Sequence, residues 1–265
     1  MHTVIKTKYP QLIFNNIEIE HETEIMNNGH TVQMKLKDDT PMPTVQGGPL
    51  RSTYQFVQLH FHWGDNDTFG SENRIDNQTF PMELHMVFYN TKYANSAEAM
   101  EHPDGLTVLA FLYEVSEENN KDYVDFVDSL NKIHDVDTST PIAHKESILE
   151  LIRPVVDQGL SEYFTYEGSL TTPPCSEVVI WIEFSDYINL SHQQLDEFRQ
   201  LSDHVGKMKH NFRPVQPIND RHVYLNCDYC DNEVDNGRGA ATAITSNTIT
   251  IIVLVTILSW LNKTH

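Results

Sequence analysis

Apolar positions along the chain recur mostly at a period of two. The segments 54–63, 80–89, 107–115 and 177–184 are runs of alternating or continuous apolar and aromatic residues, and each predicts a strand. Helical spacing is rarer. Val124, Val127, Leu130 and Ile133 predict a helix over 122–136, and Ser191 with Gln194 forms a capping box ahead of Leu195, Phe198 and Leu201. No internal repeat or low-complexity block precedes residue 231. The pattern predicts a mainly β chain with peripheral helices (α+β), a single sheet-centred domain over residues 1–230, then a polar stretch at 231–248 and an apolar tail at 249–265.

Composition narrows the function more than the fold. With 18 Lys+Arg against 38 Asp+Glu the formal charge is 18 − 38 = −20. That excludes a general nucleic-acid surface, because phosphate affinity needs a clustered cationic face. The 39% hydrophobic share places the chain among globular sequences, and β-rich single domains of about 200–250 residues are common. Three cysteines are too few for a disulfide scaffold, and an odd number leaves one unpaired within the chain.

The end of the chain bears on where the protein works. Residues 249–261 carry no charge but fall short of the roughly 20 apolar residues that span a bilayer as a helix. Small residues at 235–241 and a polar spacer at 242–248 precede them, and the three features together predict a glycosylphosphatidylinositol attachment signal. The expectation is membrane attachment through a C-terminal lipid anchor between Asn236 and Gly239, at the extracellular face of the plasma membrane, with 249–265 removed. The alternatives are a C-terminal strand or a single C-terminal transmembrane anchor. Residues 1–20 lack the apolar stretch of a secretory signal peptide, from which a missing N-terminal segment is expected. Sequons at Asn66, Asn77 and Asn189 fit a secretory route.

Candidate chemistry begins in the strand 54–63. Strict alternation puts Gln58, His60 and His62 on one face and Val57, Leu59, Phe61 and Trp63 on the other. In the strand 80–89, Glu83, His85 and Val87 share a face opposite Met82, Leu84 and Met86. If the two strands pair antiparallel, His85 joins His60 and His62 in a three-imidazole cluster. Three neutral imidazoles with an open fourth position are what a catalytic zinc requires. Gln58 and Glu83 lie on the ligand faces, where they would accept the second ring N–H of a ligating histidine and fix its tautomer.

Further motifs surround this cluster: NNGH at 27–30, GGPL at 47–50, QLHFHWG at 58–64, GSE at 70–72, ELHMV at 83–87, NTKY at 90–93, PDGL at 103–106, SLTTPPC at 169–175 and FRPVQP at 212–217. In this order and at this spacing, over roughly residues 10–225, they resemble the α-class carbonic anhydrases. The resemblance implies a large, mostly antiparallel twisted central sheet with a zinc cleft. It implies reversible hydration of carbon dioxide to bicarbonate and a proton by attack of zinc-bound hydroxide. His60, His62 and His85 match the zinc ligands, and Gln58 and Glu83 the partners of His60 and His85. Glu72 and Thr171 match the pair that orients the hydroxide, and Thr172 follows in the substrate site. Val87, Leu106, Val108, Leu170, Val179 and Trp181 match the apolar wall that holds carbon dioxide. His30 matches the proton shuttle; read from its own neighbours it is a solvated residue beside an Asn-Gly turn.

The chain departs from the family pattern before Tyr9, where members carry a few dozen further residues, including a cysteine that secreted members pair with the position of Cys175. Cys175 therefore has no evident partner, and the spacing of Cys227 and Cys230 allows a local bridge or none. Two function classes stay open: an active zinc lyase, and an acatalytic cell-surface binding module of the same family. Oligomeric state is not legible in the sequence.

Overall fold

A computed structural model describes residues 4–37 and 40–227. Its strands are β1 (Ile5–Thr7), β2 (Ile13–Asn15), β3 (Thr23–Asn27), β4 (Val32–Leu36), β5 (Thr44–Gln46), β6 (Tyr54–Trp63), β7 (Met82–Asn90), β8 (Leu106–Ser116), β9 (Thr138–Pro141), β10 (Tyr163–Gly168), β11 (Val179–Ser191) and β12 (Tyr224–Asn226). The α-helices are short: α1 (Ser96–Ala99), α2 (Val124–Leu130), α3 (Ile148–Asp157) and α4 (His192–Arg199). All described strands join one twisted sheet in the order β1-β12-β10-β11-β8-β7-β6-β4-β3-β9, with β5 on β6 and β2 on β5. Among the described residues only the β1–β12 and β8–β11 pairings run parallel. The expected mainly β single domain with peripheral helices is the architecture observed.

The two faces of this sheet hold different things. Leu59, Phe61, Met82, Leu84, Met86, Leu109, Phe111, Ile182 and Phe184 lie on the face that forms the main core, sealed by buried residues of the helices such as Phe126, Leu151 and Phe198. Each such side chain contributes on the order of 1.5–3 kcal/mol. The other face carries a smaller apolar cluster of Ala99, Leu106, Val108, Ala110, Val178, Val179 and Trp181. α4 begins where the sequence places it: Ser191 Oγ accepts the Gln194 backbone N–H, and the Gln194 side chain returns the bond to the Ser191 backbone.

Three elements differ from the sequence reading, each for a local reason. β6 keeps its bounds, but Phe56 pairs with Phe88 and Gln58 with Val87, so Val57 is an extra residue in a β-bulge. The bulge resets the alternation, and Phe56 rather than Val57 joins Leu59, Phe61 and Trp63 in the core. The helix expected over 122–136 is a 3₁₀ turn (Lys121–Tyr123) followed by α2, ending at Leu130. Beyond it Lys132 and Ile133 donate to Ser129 and Leu130 as turns, and Ile133 still reaches the core. The Asn27 side chain and the Ser202 backbone both bind the His134 carbonyl, so tertiary contacts set this path. β11 runs past the expected end at Phe184, because a register shift between Glu183 and Tyr187 carries the strand through Ser185-Asp186.

Gly64 directly follows the ligand strand, and a Cβ there would lie 2.1 Å from the Phe69 carbonyl oxygen. Gly64→Ala is expected to cost about 1–3 kcal/mol by forcing the loop toward Glu72 outward, read as a lower melting temperature in a thermal scan.

Candidate metal centre

The register of β6 against β7 assembles the site. His60 lies directly opposite His85, and His62 opposite Glu83. All three imidazoles offer a nitrogen within one group whose ligand atoms lie within 4.8 Å of one another. Ring centroids are 5.1 Å apart for His60 and His62, 5.2 Å for His60 and His85, and 4.5 Å for His62 and His85.

Each ring is aimed by an acceptor on its far side. His60 Nδ1 lies 3.0 Å from Gln58 Oε1, His62 Nδ1 lies 2.8 Å from the Asn211 carbonyl oxygen, and His85 Nε2 lies 2.7 Å from Glu83 Oε1. Since those oxygens accept, these ring nitrogens carry the protons. The inward nitrogens, His60 Nε2, His62 Nε2 and His85 Nδ1, are then bare lone pairs.

The His62 and His85 lone pairs meet at 3.0 Å. Two lone pairs at that distance repel unless a cation lies between them, so the donor set fits a metal ion. Three neutral imidazoles converging on one point are the set that zinc takes in catalytic sites, with a fourth position left open. Burial, reinforced by His62 and His85, holds the His60 imidazole well below its ordinary pKa. Burial also lowers His62, against the upward pull of Glu72. Both effects keep the ligands neutral and available.

Glu83 is fully buried, and burial pushes its carboxyl upward, but the His85 imidazole and the donors around it prevail and hold it below its ordinary value. Those donors are the backbone N–H groups of Glu72 and Asn73 at 2.7 and 2.8 Å and the Asn73 side-chain amide at 2.7 Å. The carboxylate that orients His85 thus also anchors the loop bearing Glu72. On the other side, Glu72 Oε1 accepts the Arg213 backbone N–H at 2.6 Å and lies 3.5 Å from His62 Nδ1.

Glu72 Oε2 is buried and has no hydrogen-bond partner. Thr171 lines the same cavity of about 150 Å³ as Glu72, Trp181 and Arg213, a cavity that none of the three imidazoles lines, and no hydrogen bond joins it to Glu72 among the described residues. Thr172 is exposed. Val87, Leu106, Val108, Leu170, Val179 and Trp181 fall together in the smaller apolar cluster. Val87 pairs with Val108, Leu106 with Val179 and Val108 with Trp181 across β7, β8 and β11, and the Trp181 ring lies 4.8 Å from His85. His30 is exposed on the β3–β4 turn; its carbonyl accepts the Asn211 side-chain amide at 3.1 Å, and its ring lies 6.1 Å from that of His204.

Asn211 was not anticipated. Its carbonyl holds His62, while its side chain accepts the Trp63 N–H and donates to the Phe61 carbonyl. A backbone acceptor leaves no side-chain signature, and only its place just before the FRPVQP motif pointed there.

The family model for eukaryotic-type carbonic anhydrase matches residues 1–227. The chain belongs to that family. It is 38% identical over 206 residues to carbonic anhydrase 7 of Mus musculus, covering 75% of each chain, and 37% identical over 218 residues to carbonic anhydrase 7 of Homo sapiens, covering 78% of this chain and 80% of that one. It is 34% identical over 212 residues to mitochondrial carbonic anhydrase 5B of Homo sapiens, covering 75% of this chain and 62% of that one. The protein is a carbonic anhydrase enzyme, and zinc is its cofactor, with His60, His62 and His85 positioned to bind it.

His85→Ala is expected to lose zinc and hydratase activity together, since two imidazoles do not hold the ion against water. Metal analysis of the purified variant checks this; full zinc occupancy would contradict the ligand assignment.

Proposed function

We propose that the chain catalyses reversible hydration of carbon dioxide to bicarbonate and a proton, with Glu72, Thr171 and His30 in the roles the family pattern implies. The observation that carries the reading is the convergence of three anchored imidazoles beside an apolar wall. Bound zinc supplies a Lewis acid that lowers the pKa of a water to about 7, carbonic anhydrase itself being the reference case for that value.

The protein does the rest by position. Gln58, Asn211 and Glu83 hold the rings so that three lone pairs face one point. The open Oε2 of Glu72 supports a bond from the Thr171 hydroxyl, which turns Thr171 into an acceptor toward the nucleophile and so sets its direction of attack. Val87, Leu106, Val108, Leu170, Val179 and Trp181 offer carbon dioxide an apolar seat, and the family pattern gives Thr172, which is exposed, a place in the same substrate site. An acatalytic module of this family would typically lack a ligand histidine, and all three are present here.

The proton released in each cycle leaves to water directly at no more than about 10³ per second, for diffusion-limited recombination with an acid of pKa about 7. A histidine beside the site relieves that limit. His30 fits by its exposure and by its tie through Asn211 to His62. His30→Ala is expected to lower maximal turnover in dilute buffer, leave kcat/KM for carbon dioxide nearly unchanged, and be rescued by imidazole. A matching loss in kcat/KM, or no rescue, would assign His30 to the fold instead.

We infer a glycosylphosphatidylinositol anchor from the small-residue, spacer and apolar pattern at 235–265, which lies outside the described residues. Among the described residues no helix is long and apolar enough to cross a membrane. Phosphatidylinositol-specific phospholipase is expected to release the protein from the cell surface. Retention with residues 249–261 still detectable by peptide mapping would assign a transmembrane anchor.

A further inference from the structure

The cavity of about 150 Å³ that no imidazole lines is built on the β10–β11 ladder. Phe164 pairs with Glu183 and Tyr166 with Trp181 there, and strand alternation turns all four side chains to one face, where they line the cavity. β12 pairs with β10 only from Tyr163 to Thr165, which leaves the ladder open beside Tyr166. The Tyr166 and Trp181 rings lie 6.2 Å apart and nearly parallel, at 11°. A cavity of this volume admits a benzene-sized ring.

Its two ends differ in chemistry. At the buried end Glu183 is only 3% exposed, and its Oε1 has no hydrogen-bond partner. The polar atoms of its neighbours are engaged: the Tyr166 hydroxyl donates to Asn73 Oδ1 at 2.8 Å and the Trp181 ring N–H to the Ser169 carbonyl at 3.3 Å. A buried carboxyl oxygen left without a donor is costly, and nothing in the hydration chemistry uses Glu183. The outer end is cationic. Arg74, which is exposed, and the half-buried Arg213 and Arg221 line it. Among the described residues Arg153 and Arg199 pair with carboxylates, and these three do not. Arg221 is held in place, donating to the Ile218 and Pro217 carbonyls at 3.0 and 2.8 Å with its guanidinium 5.6 Å from the Tyr166 ring centroid. In a chain of net charge −20, unpaired arginines gathered at one cavity make a mouth that attracts a small anion.

We propose that this cavity is a second ligand site, for a small aromatic acid bearing a ring hydroxyl, with the ring against Tyr166 and Trp181, the hydroxyl donating to Glu183 Oε1 and the carboxylate at Arg221 and Arg74. Each part of the ligand answers one feature of the cavity. An inorganic anion would leave Glu183 Oε1 unpartnered and the aromatic floor unused, and an apolar molecule would satisfy neither end. Burial raises the Glu183 carboxyl well above the ordinary range, so the inner end does not repel the ligand's charge. The site stands apart from the zinc assignment and does not depend on it.

The test titrates the full chain with 4-hydroxybenzoate, benzoate and phenol by calorimetry. 4-Hydroxybenzoate is expected to bind with a Kd on the order of 0.1–1 mM, in keeping with a ligand of about ten heavy atoms. Benzoate lacks the donor for Glu183 and phenol the anion for the arginines, and each is expected to bind about tenfold more weakly. Glu183→Leu is expected to erase the difference between 4-hydroxybenzoate and benzoate. Arg221→Gln is expected to weaken 4-hydroxybenzoate about tenfold and leave phenol unchanged, so the proposal remains testable should the leucine variant not fold. Stripping zinc with a chelator is expected to leave the 4-hydroxybenzoate affinity within about twofold, since no ligand imidazole lines the cavity. Equal affinity of the native chain for 4-hydroxybenzoate and benzoate, an unchanged affinity in Arg221→Gln, or no binding at about 10 mM would overturn the proposal. Loss of binding with the zinc would overturn it too, by placing the ligand on the metal.

Discussion

The far-side hydrogen bonds on the three imidazoles are the constraint from which the site follows. A histidine ring presents a lone pair inward only if its other nitrogen is protonated and held, and here Gln58, Asn211 and Glu83 each do that for one ring. The three acceptors differ in kind: a side-chain amide on the same strand, a backbone carbonyl 149 residues away, and a buried carboxylate. Each depends on a different part of the fold. Gln58 needs the regular alternation of β6 beyond Val57 to share a face with His60 and His62, Asn211 needs the 211–213 segment docked on β6, and Glu83 needs the N–H donors of Glu72 and Asn73.

The same few anchors join the ligands to the groups around them. Asn211 touches His62, Trp63, Phe61 and the His30 carbonyl, while Arg213, two residues on, donates its backbone N–H to Glu72. Glu83 binds His85 and fixes the backbone of Glu72. Ligand orientation and the placement of Glu72 are therefore not independent. The sheet supplies the rest through its two faces, one sealed by helices as the main core and the other lined by the apolar cluster next to Trp181 and His85.

Much of this was legible where a local rule acts alone. Period two marked β6 at its true bounds, the Ser191–Gln194 box marked the start of α4, and alternation in two strands foretold that His60, His62 and His85 would meet. What escaped depends on partners distant in sequence. Val57 changed faces because a bulge adds one residue, which no composition signal marks. The helix over 122–136 stopped early because the Asn27 side chain and the Ser202 backbone hold the His134 carbonyl. α3 was not anticipated, as Pro154 lies inside it and reads as a breaker. Within the site, the six apolar residues looked like ordinary core from spacing alone. Only the family resemblance selected them, and they do form one cluster apart from the main core.

X-ray absorption at the zinc edge on the purified full-length protein tests the central claim most directly. The account predicts one zinc per chain, coordinated by three imidazole nitrogens at about 2.0–2.1 Å with one further light-atom ligand. A sulfur ligand at about 2.3 Å, fewer than three imidazoles, or no bound zinc would contradict it.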